Sequence, residues 1–318
     1  MKFNHRLFGL AALLASLCAQ AQIYVSSEKD HQILAMQADG SAPRVIPVCK
    51  RPRHMSWAAD NQRILVACGD SNQIGVVDVQ ASKLVDTIPT GESPEAFALS
   101  PDGKTLFVTI EESAELQAID LASRKLAYSI KVGEEPEGVL VTPDGKLAYV
   151  TSEVANAVQV IDLKTRKLIA SIKTGKRPRR MALTPDGKEL WVSTELSSGV
   201  TIIDTATNKV TQQLGFEVAG MRKSDITPVG LVLTQDGKTA WVTLGRANHV
   251  AEVDVASRKV RKVVLVGKRA WGVALSRDGK KLYVTNGLSD DMSIVDTASG
   301  KADRTVPAGR VPYGVLVK

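Results

Sequence analysis

Short apolar runs rich in β-branched residues alternate with polar turns along most of the chain. Within residues 133–162, apolar runs at 139–141, 147–151 and 158–162 are separated by a Pro-Asp-Gly-Lys turn at 143–146 and by a polar loop. Asp and Gly tolerate the positive φ that tight hairpin turns require, so this pattern predicts consecutive antiparallel strands. A further run at 168–172 follows. Each unit is therefore predicted to contain four strands.

The unit recurs at a nearly constant spacing. Its turn aspartate occurs at intervals of 42, 42, 42, 50 and 42 residues, at Asp60, Asp102, Asp144, Asp186, Asp236 and Asp278. A period near 42 residues with four strands per unit is typical of β-propeller blades. We number these six units as blades 1 to 6.

The two ends of the repeat region together supply a seventh copy. Residues 309–318 match the first strand of the unit, and residues 23–48 match its second, third and fourth strands. The sequence therefore predicts an all-β fold: a seven-bladed β-propeller of four-stranded blades, with the ring closed by pairing of the C-terminal strand with the N-terminal strands. Closure of this kind leaves no open sheet edge at the junction.

Residues 1–21 have the features of a secretory signal peptide. Lys2 and Arg6 precede an apolar stretch at 7–19, and small residues occur at 19–21. This stretch is too short for a stable transmembrane helix. We therefore expect a periplasmic or secreted protein whose residues 22–318 form a single propeller domain, without a membrane span.

The charge of the chain is modestly basic, with 41 Lys and Arg residues against 34 Asp and Glu residues and a formal net charge of +7. Many of the positive charges fall in predicted turns, such as those at 123–125 and 165–167. Charges spread in this way favour solvated turns over a concentrated nucleic-acid footprint. We expect a monomer that does not bind nucleic acid.

Cys49 and Cys68 are the cysteines that follow the predicted leader. Cys49 stands where other units have Gly, before the first strand of blade 1, and Cys68 ends the second strand of the same blade. Both positions are predicted to lie toward one face of the ring, so a disulfide between them is possible in an oxidising compartment. Two separate buried thiols are the alternative.

The residue after the proline of each opening motif, or after Ala270 in blade 6, is predicted to ring the mouth of the central channel. These residues are Arg53, Glu95, Glu137, Arg179, Val229, Trp271 and Tyr313. They differ in charge from blade to blade, although the framework around them repeats. Such divergence is typical of a site placed on a constant scaffold. Unselected surface variation is the alternative.

The charges on this face separate by blade. Glutamates occupy the loops of blades 2 and 3, which we call the acidic sector (Glu92, Glu95, Glu111, Glu112, Glu115, Glu134, Glu135, Glu137 and Glu153). Cations occupy the remaining loops, which we call the basic sector (Lys50, Arg51, Arg53, His54, Lys176, Arg177, Arg179, Arg180, Arg222, Lys223, Lys268, Arg269 and Arg310). The acidic sector suits a hard cation or is simply solvated, and we predict no metal site.

Arginine beside aromatic rings suits an anionic, planar or carboxylated small molecule. A partner protein of complementary charge fits the same surface. The candidate binding residues are Arg53, His54, Glu95, Glu137, Arg179, Arg180, Arg222, Lys223, Trp271 and Tyr313.

The connection at 214–228 is eight residues longer than its counterparts, as the 50-residue interval shows. An insertion in a strict repeat often marks a functional loop. We expect it to form a lid over the channel mouth with Phe216 and Met221 as apolar contacts, and a spacer without a role is the alternative.

Catalytic motifs are weak in this sequence. His31, His54 and His249 have no metal-ligand spacing, and no serine lies in a nucleophile elbow. The sequence therefore favours binding over catalysis. A propeller lactonase or other hydrolase at the channel mouth is the first alternative, and it would need an acid–base pair or a metal. A cell-surface interaction module is the second, although tandem domains or an anchor would be expected for it.

The repeat resembles a known family. The motifs Gly-x-x-Pro-x-Gly-Val, Pro-Asp-Gly-Lys and Val-x-Val-Ile-Asp, together with the intact Tyr283-Val284-Thr285-Asn286, resemble YVTN-type β-propeller repeats over residues 22–318. The stretches at 220–230 and 266–271 are similar to those of exported seven-repeat propellers associated with alcohol catabolism dependent on pyrroloquinoline quinone (PQQ).

The resemblance implies a periplasmic, non-catalytic ligand-binding or scaffolding accessory of that catabolism and its transport system. The partner would be a quinoprotein dehydrogenase or a transporter component. The resemblance supplies no catalytic residue, and the cofactor is left unknown.

Overall fold

The computed structural model describes residues 23–318, which form a ring of seven four-stranded antiparallel sheets. The predicted seven-bladed β-propeller is therefore confirmed. The predicted signal peptide, residues 1–21, lies outside the described residues. Within residues 23–318, no helix has both the length and the apolar character needed to cross a membrane.

The strands follow the repeat closely. Blade 7 contains β1 (Ile23–Ser27), β2 (Gln32–Met36), β3 (Arg44–Pro47) and β28 (Pro312–Val317). Blade 1 contains β4 (Pro52–Trp57), β5 (Arg63–Cys68), β6 (Gln73–Asp78) and β7 (Lys83–Pro89). Blade 2 contains β8 (Pro94–Leu99), β9 (Thr105–Ile110), β10 (Glu115–Asp120) and β11 (Lys125–Lys131). Blade 3 contains β12 (Pro136–Val141), β13 (Leu147–Ser152), β14 (Ala157–Asp162) and β15 (Lys167–Lys173).

The remaining three blades have the same order. Blade 4 contains β16 (Pro178–Leu183), β17 (Glu189–Thr194), β18 (Gly199–Asp204) and β19 (Lys209–Gly215). Blade 5 contains β20 (Leu231–Leu233), β21 (Thr239–Thr243), β22 (His249–Asp254) and β23 (Val260–Leu265). Blade 6 contains β24 (Ala270–Leu275), β25 (Lys281–Asn286), β26 (Asp291–Asp296) and β27 (Lys301–Pro307).

The ring closes within blade 7, as predicted. β28 pairs antiparallel with β1, so that Val315 lies opposite Val25 and Val317 lies opposite Ile23. The innermost strand of this blade therefore comes from the end of the chain, and its neighbour comes from the first described residues.

The Pro-Asp-Gly turns connect first and second strands, and their side chains cap their own backbone. In blade 3, the Thr142 hydroxyl donates a hydrogen bond to Asp144 (2.6 Å), and Asp144 accepts another from the Lys146 amide (3.1 Å). Gly145 has φ of +69°, which a side chain would strain. We call the surface that bears these turns the turn face, and the opposite surface the loop face.

A belt of hydroxyl groups joins neighbouring blades around the channel. In blade 3, Thr151 Oγ1 donates to the carbonyl of Arg179 in the next blade (2.9 Å) and accepts from the amide of Gly138 (2.7 Å). A Cβ at Gly138 would lie 2.6 Å from the same carbonyl, so the repeat favours glycine there. Six blades place a hydroxyl at this position: Ser26, Thr109, Thr151, Ser193, Thr243 and Thr285. In blade 1 the equivalent residue is Ala67.

The long connection between blades 4 and 5 is packed into the ring. Phe216 is buried in the apolar core between these blades, against residues such as Trp191 and Leu244. Met221 is exposed and lines a surface cleft with Phe216 and Val260. The predicted lid is therefore wrong for Phe216, because its ring fills the space between two blades and does not cover the channel.

Cys49 and Cys68 form a disulfide, with their Cα atoms 5.7 Å apart. The geometry of the repeat explains this proximity. In blade 3, a Cβ added at the glycine equivalent to Cys49, Gly133, would lie 2.7 Å from Cβ of Ser152, the equivalent of Cys68. Blade 1 therefore replaces a close contact of the repeat with a covalent bond.

Candidate functional site

The predicted channel-mouth residues converge on the ring axis, but several of them are buried. The exposed fractions are 1% for Glu95, 4% for Glu137, 6% for Arg179 and 5% for Tyr313. Each residue stands second in the innermost strand of its blade, where the strands approach the axis from the loop face. These residues fill the end of the channel and do not form an open rim.

Glu137 lies at the centre of this cluster. Its carboxylate contacts Arg180 (3.1 Å) and Arg179 (3.6 Å) and accepts a hydrogen bond from the Tyr313 hydroxyl (3.0 Å). Burial raises the pKa of Glu137, but the charges of Arg179, Arg180 and Arg53 outweigh burial and lower it to about 2. Glu137 is therefore ionised at neutral pH.

Glu95 has the opposite titration behaviour. It contacts Arg53 closely and lies 3.2 Å from Arg51. Burial, followed by the negative charge of Glu137, raises the pKa of Glu95 to about 7, although both arginines oppose this. Glu95 therefore keeps its proton to a higher pH than Glu137 does, and it is the carboxyl group of the pair that titrates near neutral pH.

A second layer of glutamates completes the ion-pair network. Glu153 pairs with Arg177 (2.5 Å) and closely with Arg179. Glu195 is 3.4 Å from Arg179 and 3.4 Å from Arg269. Glu28 and Glu195 are members of this network that were not predicted from the sequence, although they follow the second strand just as Glu111 and Glu153 do. The position directly after the second strand of a blade is the sequence signal that could have identified both residues.

The predicted separation into acidic and basic sectors is wrong at the channel. Arg53, assigned to the basic sector, pairs with Glu28 (2.7 Å) and with Glu95. Arg179 of blade 4 is shared among Glu137, Glu153 and Glu195. Side chains of adjacent blades meet here because the blades approach one another most closely at the axis.

Trp271 and Tyr313 provide the aromatic surface of the cluster. Their ring centroids are 5.5 Å apart. The guanidinium groups of Arg179 and Arg269 lie 5.0 and 4.7 Å from the Trp271 ring centroid, and that of Arg53 lies 5.0 Å from the Tyr313 centroid. Stacked cations of this kind hold the rings in place. Among the described residues, the buried indole N–H of Trp271 has no hydrogen-bond partner.

His54 and Arg180 depart from the repeat in the same way. Each occupies the third position of an innermost strand, where blades 3, 6 and 7 have glycine, and blade 5 has Gly230 at the equivalent position just before β20. Their hydroxyl-belt neighbours are small, Ala67 in blade 1 and Ser193 in blade 4. The smaller neighbour leaves space for the larger side chain at the axis.

Both departures direct a polar side chain toward the axis. His54 packs edge-on against Phe97, with centroids 4.7 Å apart. Burial, followed by the charge of Arg180, lowers the pKa of His54 to about 3, so its imidazole is neutral at physiological pH. Arg180 spans the channel to the hydroxyl of Tyr313 in blade 7.

A cavity of about 220 Å³ lies beside these groups. His54, Arg180, Trp271 and Tyr313 supply its polar and aromatic lining, and apolar side chains of the innermost strands supply the rest: Met55, Met181, Val229, Leu231, Val273 and Val315. The cavity therefore combines one cation, a neutral imidazole and aliphatic walls. Those groups suit a small molecule that has both a charged and an apolar part.

Arg222 and Lys223 do not join the channel cluster. Arg222 is exposed and pairs with Asp225 of its own loop (2.9 Å). Lys223 lines the cleft beside Phe216 and Met221 at the edge of blades 4 and 5. Both residues lie on the loop face, outside the axial cluster.

Charges without an ion-pair partner are found on the exposed loops. Blades 4 to 6 carry Lys176, Lys223, Arg246 and Lys268, and blades 2 and 3 carry Glu92, Glu112, Glu134 and Glu135, all exposed. Within residues 23–318, none of these eight side chains forms an ion pair. The predicted charge separation therefore holds for these eight side chains and fails at the axis. It is incomplete on the loop face, because Glu217 and Asp290 of blades 4 to 6 are also exposed without an ion-pair partner among the described residues.

The chemistry available at the axis is anion recognition and proton transfer. Among residues 23–318, no group of three or more His, Cys, Asp or Glu side chains is arranged to hold a metal ion. The arginines at the axis are already paired with glutamates of the chain. A ligand would therefore meet a preorganised network in which Arg180 has Glu137 as its one carboxylate partner among the described residues.

Two family profiles match parts of the chain. The YNCE-like beta-propeller matches residues 55–145, and the lactonase, 7-bladed beta-propeller matches residues 167–318. Each match covers less than half of the chain. Both support a β-propeller, in agreement with the observed blades. The comparison with curated proteins finds no match.

Solved structures share this fold at low sequence identity. Hydrazine synthase of Kuenenia stuttgartiensis is 22% identical with a TM-score of 0.78, over 86% of this chain and 92% of that chain. The periplasmic gluconolactonase of Pseudomonas aeruginosa is 20% identical with a TM-score of 0.79, over 94% and 99%. A putative 6-phosphogluconolactonase from Bacteroides uniformis is 15% identical with a TM-score of 0.77, over 94% and 99%. These likenesses show the fold alone.

Proposed function

We propose that this propeller is an exported, non-catalytic accessory protein that binds an acidic protein partner on its loop face. The observation that carries the proposal is the set of unpaired cations on blades 4 to 6, Lys176, Lys223, Arg246 and Lys268. Unpaired exposed charges steer a partner of opposite charge and set its orientation. The unpaired glutamates of blades 2 and 3 would repel an acidic partner and confine it to one side of the ring.

Exposed leucines beside two of these lysines add apolar contact area. The amide of Leu196 donates to the carbonyl of Lys176 (3.1 Å), and the amide of Leu288 donates to that of Lys268 (3.0 Å). The exposed fractions of Leu196 and Leu288 are 55% and 69%. Large apolar side chains within a charged surface are a feature of protein interfaces.

The motif resemblance gives this docking a cellular context. It supports a periplasmic role in PQQ-dependent alcohol catabolism, with a quinoprotein dehydrogenase or a transporter component as the partner. The buried ion-pair network suits a scaffold in this role, because it fixes the loop face around the axis.

The test uses charge reversal on the two faces of the ring. We expect Lys176→Glu combined with Lys268→Glu to weaken binding to a purified acidic periplasmic partner, such as a quinoprotein dehydrogenase, at least about tenfold. The matched control is Lys125→Glu combined with Lys167→Glu, which are exposed lysines at the turn face. Calorimetry at two salt concentrations should show weaker binding at the higher one. Equal affinity for both double variants would exclude the loop face as the docking surface.

Lactone hydrolysis is a second candidate function. The lactonase profile covers residues 167–318, which supply Arg179, Arg180, Trp271 and Tyr313. Glu95, with its pKa raised to about 7 by burial and by Glu137, has the titration behaviour of a general base. Arginines beside it would stabilise an oxyanion.

Titration of released acid from glucono-δ-lactone separates this candidate from the first. Hydrolysis above the spontaneous rate that is lost in Glu95→Gln would support it. A rate that equals the spontaneous one at all pH values between 6 and 9 would exclude hydrolysis of that lactone and leave the docking proposal intact.

A further inference from the structure

We propose that the axial cavity binds a small carboxylate with an apolar body, and that this ligand enters through the turn face. The proposal goes beyond partner docking on the loop face, and the two fail independently because they use opposite ends of the channel. Four observations carry it. Side chains fill most of the channel at the loop face, and His54 and Arg180 replace the glycine of the repeat. Arg180 has one carboxylate partner among the described residues, and the cavity is small.

The channel is mostly filled by side chains toward the loop face. Five of the seven channel-mouth residues are buried at or just before the start of their strands, namely Glu95, Glu137, Arg179, Val229 and Tyr313, and Arg53 and Trp271 are partly exposed. The residues that end the innermost strands near the turn face, such as Leu99, Leu183 and Leu275, are partly exposed. The turn face therefore offers a path to the cavity that leaves these ion pairs intact.

The polar end of the cavity is built by residues that break the repeat. His54 and Arg180 replace glycine, and each is accompanied by a smaller residue in the hydroxyl belt. Ala67 cannot supply the hydroxyl that six other blades use to bond the neighbouring blade. Blade 1 therefore gives up an interblade hydrogen bond at the position where an imidazole reaches the axis.

The local charge favours an anion at Arg180. Within residues 23–318, its one carboxylate partner is Glu137 at 3.1 Å, and Glu137 is shared with Arg179. Arg180 also lies close enough to His54 to help burial lower the pKa of that imidazole, so the neutral imidazole adds no second cation there. A guanidinium with spare donors binds a carboxylate through paired hydrogen bonds.

The walls and size of the cavity define the rest of the ligand. Met55, Met181 and Leu231 are among the apolar groups that line it. Its volume of about 220 Å³ is below the roughly 300 Å³ at which pockets for drug-sized ligands begin. The cavity thus suits a short aliphatic or alicyclic carboxylic acid and is small for a fused tricyclic quinone.

The experiment titrates the purified protein with octanoate and, separately, with 1-octanol. Trp271 lines the cavity, so its fluorescence and calorimetry report binding. We expect saturable octanoate binding, at least about tenfold weaker binding of 1-octanol, and a loss of at least about tenfold in octanoate affinity in Arg180→Met. Arg180→Lys keeps the charge but loses the guanidinium fork, so its octanoate affinity should lie between those of the parent protein and Arg180→Met. It replaces Arg180→Met in the test if that variant does not fold.

The route of entry is tested by narrowing the channel. Ser56 directly follows Met55, which lines the cavity, and lies one residue nearer the turn face, where it is partly exposed. We expect Ser56→Trp to weaken octanoate binding, whereas Ser123→Trp on an outer turn should not. The loop-face double variant of Lys176 and Lys268 should bind octanoate normally.

Three results would overturn the proposal. Equal affinity for octanoate and 1-octanol would show that the carboxylate is not recognised. Equal octanoate affinity in the parent protein and in folded Arg180→Met would show that Arg180 does not bind the ligand. Absence of saturable binding for octanoate and for shorter and longer homologues would remove the site.

Discussion

One hydroxyl group in each of six blades joins the blade to its neighbour and to its own innermost strand. Thr243 Oγ1 accepts from the amide of Gly230 (2.7 Å) and donates to the carbonyl of Trp271 (2.9 Å). Because both partners are backbone groups near the axis, loss of the hydroxyl leaves a buried donor and a buried acceptor with fewer partners.

We expect Thr243→Val to lower the free energy of unfolding by about 1–3 kcal/mol, since a near-isosteric methyl group leaves these groups unsatisfied. Urea unfolding measures the change. Thr211→Val is the control, because the Thr211 hydroxyl makes a weaker bond (3.3 Å) on an exposed strand. Equal losses for the two variants would show that the belt has no special energetic role.

The His54 imidazole, whose Nδ1 is buried without a hydrogen-bond partner among the described residues, gives a prediction about acid stability. Its pKa is lowered from 6.5 to about 3 in the folded protein by burial and by Arg180. The unfolded chain therefore binds a proton first as the pH falls, and the free energy of unfolding should decrease from about pH 6.5 toward pH 3. His54→Gln should flatten this dependence, as measured by urea midpoints at several pH values.

Glu95 should change the free energy of unfolding with pH in the opposite direction from His54. Its pKa is raised to about 7 by burial and by Glu137. The folded protein keeps the proton that the unfolded chain loses above about pH 4.5, so this group reduces stability as the pH rises toward 7. Glu95→Gln should remove that decrease, and a Gln variant with the slope of the parent protein would contradict the assignment.

The sequence predicted which residues point at the axis but not which of them pair. The repeat placed Glu137, Arg179 and Tyr313 at equivalent positions, and that placement requires only the register of each strand. The contact between Arg180 and Tyr313 joins residues 133 positions apart. Such cross-ring contacts depend on side-chain length and ring diameter, which a local pattern does not encode.

At the scale of elements, blade 1 is stabilised covalently by the bond between Cys49 and Cys68. We expect thiol titration of the denatured, unreduced protein lacking residues 1–21 to find no free thiol, and two free thiols per chain would contradict the bond.

The bond closes a short loop, with a sequence separation of 19. Its loss in the double variant Cys49→Ala, Cys68→Ala should lower the free energy of unfolding by about 3 kcal/mol, as loop-closure entropy predicts. Urea unfolding of the parent under oxidising and reducing conditions provides the matched comparison.

The closing strand β28 is the second element with a clear energetic role. Its side chains Val315 and Val317 pack with the core shared by blades 6 and 7. Deletion of residues 313–318 would expose this core and leave β1 with an unpaired edge. We expect a loss of several kcal/mol and a tendency to aggregate, measured by thermal melting and light scattering. A deletion variant that melts like the parent and remains monomeric would contradict the role of β28.

Blade boundaries were predictable because each blade repeats the same turn and strand signals. The path of the 216–230 connection was not. Its length suggested a lid, but burial of Phe216 between blades 4 and 5 stabilises the connection more than exposure over a polar axis would. Packing against a neighbouring blade is a long-range effect that the loop sequence alone does not reveal.

At the scale of the whole molecule, the two faces of the ring have different properties. The loop face carries unpaired charges around a buried ion-pair network, and the turn face opens toward a partly apolar channel. Partner docking and small-molecule binding are thereby assigned to opposite ends. The predicted seven-fold ring was sufficient to locate both ends, but burial had to be observed to show which one is mostly filled by side chains.

Because the strand pair in blade 7 closes the ring, the fold does not depend on the blade in which the chain starts. Ile23 and Val317 are direct neighbours across a strand pair. A short linker between these two positions would let the chain start and end elsewhere, for example within the exposed turn at Asp102. Such a circular permutant should retain the parent fold, because every strand keeps its partners while the strand pair in blade 7 becomes a hairpin.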